Sequence, residues 1–175
     1  MAVHEHEVPA PIYQYLATST GGTNAIADYS TGMSFAITPT STQDFRIERM
    51  MIHIQDTGAF AAEEYGNLGS ALTNGVKIRV MNSTGVKYDL TGDLPVKTNA
   101  QWGRQCYDVR IDTWGVGDEF LSARWTFSKG GYPLRLDGTK GEYLEAYLTD
   151  TCTGLNEHNF YVNGYIEDAA FDEFG

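Results

Sequence analysis

Short apolar-patterned runs recur along this sequence between turn signals, and that rhythm restricts the chain to an all-β architecture. Val76, Ile78 and Val80 alternate strictly after Asn74-Gly75, a pair that tolerates positive φ. Ser83-Thr84-Gly85 turns the chain into a run over 86–90, and Thr91-Gly92-Asp93 into another over 94–98. Met33, Phe35 and Ile37 alternate within 29–37. Leu121, Ala123, Trp125 and Phe127 share one parity within 120–127, and further strands are expected over 132–136, 143–148 and 160–166. In the long run over 44–55, Phe45 and Ile47 occupy one parity and Ile52 and Ile54 the other, so the pattern predicts a bulge near Arg49 to Met51.

Helical periodicity is nearly absent. Residues 59–74, AFAAEEYGNLGSALTN, are the sole candidate, and Gly66 and Gly69 limit it to one or two turns. Residues 99–118 are less regular, with Trp102, Tyr107, Val109, Ile111 and Trp114 as anchors. A parallel α/β fold needs crossover helices of a dozen residues, and a propeller or solenoid needs a repeat; neither is visible. The expected fold is therefore an antiparallel, jelly-roll-like β-sandwich over residues 25–168. Its core is expected from Phe35, Ile37, Ile52, Ile54, Val76, Ile78, Val80, Ala123, Trp125, Phe127, Leu144, Leu148, Phe160 and Val162.

Two segments flank that domain. Residues 1–24 read as an extended N-terminal arm, because prolines and a TSTGGTN run exclude a helix. Val8, Pro9, Pro11, Ile12, Tyr13, Tyr15 and Leu16 are more apolar than a solvated tail requires, so the arm either folds back on its own domain or lies on a neighbour. The acidic tail, residues 169–175, carries Phe171 and Phe174 and is either a second docking strip or a frayed end.

With 175 residues the chain can bury roughly 70% of its unfolded surface without help from disulfides or metals. A net charge of −11 with scattered cations argues against nucleic acid and against anionic membrane surfaces as partners. No apolar run approaches the roughly 20 residues of a membrane helix. The opening MAVHEHEVPAP has neither a basic n-region nor an apolar h-region, so no signal peptide is expected. Cys106 and Cys152 lie outside any CxxC and are expected as reduced thiols.

The residues offer little catalytic chemistry. His4 and His6 would project to one side of an extended chain but lack a third fixed ligand for a metal. His53 and His158 are expected as hydrogen-bonded sheet residues. Carboxylates such as Glu48, Asp118, Glu142 and Glu145 cannot be paired across a cleft from sequence. Asp89, Asp93, Asp118, Asp137 and Asp150 sit in turns that suit Ca²⁺, yet no calcium-loop spacing occurs. No GxSxG, P-loop or GxGxxG is present. Trp102, Tyr107, Trp114, Tyr132 and Tyr143 could form a sugar-stacking platform, although aromatics in strands more often serve as core. The expectation is a chain without enzymatic activity, catalytic residues, metal or cofactor.

Three phrases carry a resemblance: LGSALTNGVKIRVMNSTGVKYDLTGDLPVKTNAQW, FLSARWTFSKGGYPLRLDG and LNEHNFYVNGY. Over roughly residues 28–166 the chain resembles jelly-roll virion proteins of tailed bacteriophages. The resemblance implies a structural part of the particle, foremost a capsid decoration or cement protein. Its implied partners are the major capsid protein and further copies of itself, a trimer favoured. Its implied location is the capsid surface, reached from the host cytoplasm during assembly. The apolar residues of arm and tail would then form the capsid or oligomer interface. A tail or portal-vertex accessory protein and a carbohydrate- or receptor-binding jelly roll are the alternatives.

Overall fold

The computed structural model describes residues 10–17, 33–92, 94–105, 108–114, 118–127 and 133–168. Ten strands and one short helix are formed there. They are β1 (Ala10–Ala17), β2 (Met33–Ile37), β3 (Gln43–Thr57), β4 (Lys77–Asn82), β5 (Gly85–Asp89), α1 (Asn99–Gln105), β6 (Asp108–Trp114), β7 (Asp118–Thr126), β8 (Leu134–Asp137), β9 (Tyr143–Leu148) and β10 (Glu157–Asp168). All strand pairings are antiparallel. One sheet runs β1-β10-β3-β7-β6, with β8 also pairing β3; the other runs β2-β9-β4-β5.

The two sheets bury one shared core. Phe35 of β2 stacks on Phe160 of β10 at 5.7 Å between ring centroids, which joins the sheets directly. Ile52, Ile54, Leu121, Ala123, Trp125 and Val162 face Ile37, Ile78, Val80, Leu144 and Leu148 within the same buried cluster. Every residue expected in the core is buried except Phe127, which is half-buried at the end of β7 and packs against the cluster from outside.

The parity switch in β3 has the predicted cause, one residue earlier than expected. Asn163 pairs with Arg49 and Gly164 with Ile47, so Glu48 is the extra residue of a bulge. Glu48 and Arg49 both face solvent, and the buried parity passes from Phe45 and Ile47 to Met50, Ile52 and Ile54.

Three local expectations are corrected. Residues 59–74 form turns and bends rather than a helix. Gly66 and Gly69 adopt positive φ there. The carbonyls that a helix would bond internally are taken elsewhere: Ala61 O and Gly66 O accept from Asn99 Nδ2, Glu64 O from Asn99 N, and Ala62 O from Ala100 N. The helix falls instead at Asn99–Gln105, the start of the stretch read as irregular, and Asn99 ties the loop to it. The run over 94–98 makes only an isolated bridge, Val96 to Val76, and Pro95 inside it has no amide proton to give a ladder. Conversely β6 is a full strand against β7, from Asp108↔Arg124 to Trp114↔Asp118.

The N-terminal stretch is extended, but it is a strand of its own domain. Pro11, Ile12, Tyr13, Tyr15 and Leu16 lie in β1, whose register against β10 runs from Ala10↔Ile166 to Ala17↔Asn159. The sheet therefore begins before the boundary drawn at residue 25. Val8, Pro9, Phe171 and Phe174 lie outside the described residues.

Candidate functional site

Among the described residues, His53, His158, Tyr65 and Cys152 are built into the fold. His158 is fully buried, and its Nε2 is 2.9 Å from the Tyr65 hydroxyl, which is buried too. Burial raises the Tyr65 pKa well above its usual value, with Cys152 and Asp150 adding to the rise. His53 Nδ1 lies 3.1 Å from Ser122 Oγ across β3 and β7. Desolvation lowers the His53 pKa, against an opposing pull from Glu157. This base beside a hydroxyl is the arrangement closest to nucleophilic chemistry among the described residues. It lies on paired strands, His53↔Ser122, where backbone amides are engaged in ladders rather than gathered to hold an oxyanion.

Cys152 is a buried free thiol. Burial first, and the Asp150 charge second, push its pKa up to about 12. Thiolate is the reactive form, so native Cys152 should resist iodoacetamide at pH 8 and react only on unfolding. Mass spectrometry of the labelled peptide checks this; rapid labelling in buffer would show that the connection between β9 and β10 around Cys152 opens. Cys106 lies outside the described residues, as do His4, His6, Asp93, Tyr107 and Tyr132.

Of the five residues considered for a sugar platform, only Trp102 and Tyr143 have described side chains. Trp102 is fully buried and packs edge-on against Trp125 at 5.7 Å. Tyr143 lies in β9 of the other sheet, opposite Met81. Of the turn carboxylates, Asp89, Asp137 and Asp150 are engaged within the fold. Asp150 accepts the backbone amides of Thr73, Asn74 and Gly75 at 2.7–3.1 Å. Among the described residues no three His, Cys, Asp or Glu side chains converge on a possible ion. The groove beside Asp150, about 630 Å³, is lined by Leu68, Leu72 and several threonines, with no aromatic ring to stack on a ligand.

A second groove has more recognition chemistry. It is about 470 Å³ and lies between β5, the last strand of the smaller sheet, and β8 of the larger one. Three buried carboxylates stand behind three outward cations. Arg135 Nε donates to Asp44 Oδ2 at 2.7 Å, and a terminal guanidinium nitrogen reaches the same oxygen at 2.6 Å. Lys140 Nζ lies 2.9 Å from Asp137 Oδ2, and Lys87 Nζ pairs with Glu142. Glu142 Oε2 also accepts the Asp137 amide at 3.1 Å. Burial alone would raise the Asp137 pKa, but Thr139, Lys140 and Arg135 outweigh it and bring it down to about 2. The hydrogen bond to Asp44 raises the Arg135 pKa, and that to Asp137 raises the Lys140 pKa.

The carboxylates are nearly inaccessible, whereas the Arg135 and Lys140 side chains are 43% and 65% exposed. The groove therefore offers cationic donors to solvent above a floor of Tyr88, Phe127, Pro133 and Leu134. Beside it β5 carries two exposed apolar residues, Val86 at 52% and Tyr88 at 53%. Among the described residues β5 pairs only with β4, at the edge of the smaller sheet. Sequence reading placed a strand at 86–90 but found no site there, since the carboxylates that position the cations come from residues 44, 137 and 142. The usable signals were a short strand between two turns with apolar residues at exposed positions, and the Asp137-Gly138-Thr139 turn that caps the one-turn helix Gly138–Lys140.

Compared with protein-family models, curated proteins and solved structures, the chain shows no significant match.

Proposed function

We propose that this chain is a non-enzymatic jelly-roll protein of a bacteriophage particle, foremost a capsid decoration protein that stabilises the head shell. The observation that carries the reading is the strand order. We read β1-β10-β3-β8 in one sheet and β2-β9-β4-β5 in the other as the eight strands of a double Greek key. The chain changes sheet at each step along these eight strands except between β4 and β5, with the β6–β7 hairpin inserted before β8. Jelly rolls of this kind build viral shells as well as lectins and cupins. A cupin reading needs converging ligands, which the described residues do not supply, and a lectin reading loses one residue of its platform, the buried Trp102.

Adhesion in many copies needs surface rather than a catalytic centre. The edge strand β5, with the exposed Val86 and Tyr88, supplies such surface among the described residues, and β1 is an outer strand of the larger sheet. The major capsid protein and further copies of this chain, trimers foremost, are the partners in this reading, and the capsid surface is its location.

The test is light scattering of the purified protein, followed by co-sedimentation with undecorated shells. Saturation at a fixed, high copy number per shell is the expected outcome. A chain that stays in the supernatant at every ratio would overturn the decoration role. Deleting residues 1–16 is unsuitable as a probe of attachment, because it strips β1 from β10.

A further inference from the structure

We propose that the groove between β5 and β8 is the docking site of this chain's own C-terminal segment, residues 169–175. Position comes first. β10 ends with Asp168 opposite Gln43 and Glu167 opposite Asp44, while Asp44 on its other side is opposite Asp137. The end of β10 thus lies two strand spacings, about 10 Å, from the Asp137 side of the groove. Seven further residues reach at most about 25 Å, so the segment spans that distance with length to spare.

Chemistry comes second. The segment reads AAFDEFG, with two phenylalanines around an acidic pair. The groove matches both features. Tyr88, Phe127 and Leu134 offer an apolar floor, and Lys87, Arg135 and Lys140 stand at its rim. Each cation already neutralises a carboxylate, so the groove has no strong long-range field. Its attraction for Asp172 and Glu173 is short-range, through donors that the buried carboxylates leave facing outward. Burying Phe171 and Phe174 supplies the larger part of the interaction. Docking along the rim would also cover Tyr88, one of the most exposed large apolar residues among those described.

In the free protein this docking covers Tyr88, which the proposed function gives to adhesion, so the test uses free protein without shells. In the full-length chain, with Cys106→Ser, Tyr88→Cys is combined with Glu173→Cys, which keeps both phenylalanines. The control combines Thr42→Cys, exposed beside the end of β10 and outside the groove, with Glu173→Cys. The measured quantity is the rate of disulfide formation at low protein concentration, resolved on non-reducing gels. The expected result is an intrachain crosslink to position 88 at least about tenfold faster than to position 42, although position 42 lies closer to the end of β10. Adding Phe171→Ser and Phe174→Ser should slow the first rate about tenfold, the effect of losing 1.4 kcal/mol of docking.

Equal rates at positions 88 and 42 would overturn the proposal. So would a fast crosslink indifferent to the two serines, since tethering alone would then explain it. A dimeric product whose rate rises with concentration would also overturn it, and would assign the groove to a second copy. Circular dichroism of each variant shows that the sandwich is intact when the rates are compared.

Discussion

Replacing Trp125 with alanine should lower the free energy of unfolding by about 3–5 kcal/mol. The side chain is only 3% exposed, and it sits in β7 directly opposite Met50 of β3. Its indole meets the Trp102 indole edge-on, at an interplanar angle of 80°. Truncation would remove the transfer free energy of a large aromatic and leave a cavity beside Trp102. That cavity has little means of collapse. Trp102 belongs to α1, and the first residue of α1, Asn99, is bonded to Ala61, Glu64 and Gly66 of the preceding loop. Trp102 also contacts Tyr65, which is held by His158. Urea unfolding followed by far-ultraviolet circular dichroism measures the change without relying on tryptophan emission. Trp125→Phe should recover much of the loss by refilling most of the volume. A loss below about 1 kcal/mol for the alanine variant would mean that the indole is not enclosed between the sheets.

What the sequence revealed about this fold follows from what is local. Strand periodicity is written residue by residue, so Val76-Ile78-Val80 and Leu121-Ala123-Trp125 point inward as their parity requires. Even the bulge in β3 was visible, because an extra residue leaves a parity break whatever the partner strand. The helix was misplaced for the opposite reason. Residues 59–74 have helix-forming Ala and Glu, but their carbonyls are claimed by Asn99, more than thirty residues away in sequence. No local pattern records that bond. The groove was hidden in the same way. Asp44, Asp137 and Glu142 become one charged cluster only when β3 and β8 pair and the turn after β8 folds back under them. Their burial behind Arg135, Lys140 and Lys87 is a property of topology rather than of any motif.

The β1 stretch shows a subtler limit. Its apolar residues identified it as a segment that must be covered, and periodicity could not decide by what. Pairing along eight positions of β10 answers for the backbone. It also makes β10 a central strand, flanked by β1 and β3, with its amides engaged on both edges.

Gly164→Ala should destabilise the domain by about 3 kcal/mol, at the upper end of overpacking costs. The reason is space, since the residue does not adopt positive φ. A Cβ on Gly164 would lie 2.0 Å from the carbonyl oxygen of Arg46 and 3.0 Å from the Cα of Ile47. Both atoms are backbone, so neither can swing away as a side chain would. They belong to the β3 segment just before the bulged Glu48, where the chain is drawn close to β10. Relief would require opening the ladder between β3 and β10 or sliding it. A slide of one residue would turn Phe45 and Ile47 out of the core. Gly154→Ala provides the contrast. Its Cβ would meet only the tip of the Leu68 side chain, at 2.8 Å, and rotation of that side chain relieves the contact. The cost there should stay below about 1 kcal/mol. Denaturant midpoints of the two variants, measured side by side, test the argument. Equal stability of Gly164→Ala and Gly154→Ala would mean that the bulge relaxes freely and that the close approach of β3 to β10 is not required by the fold.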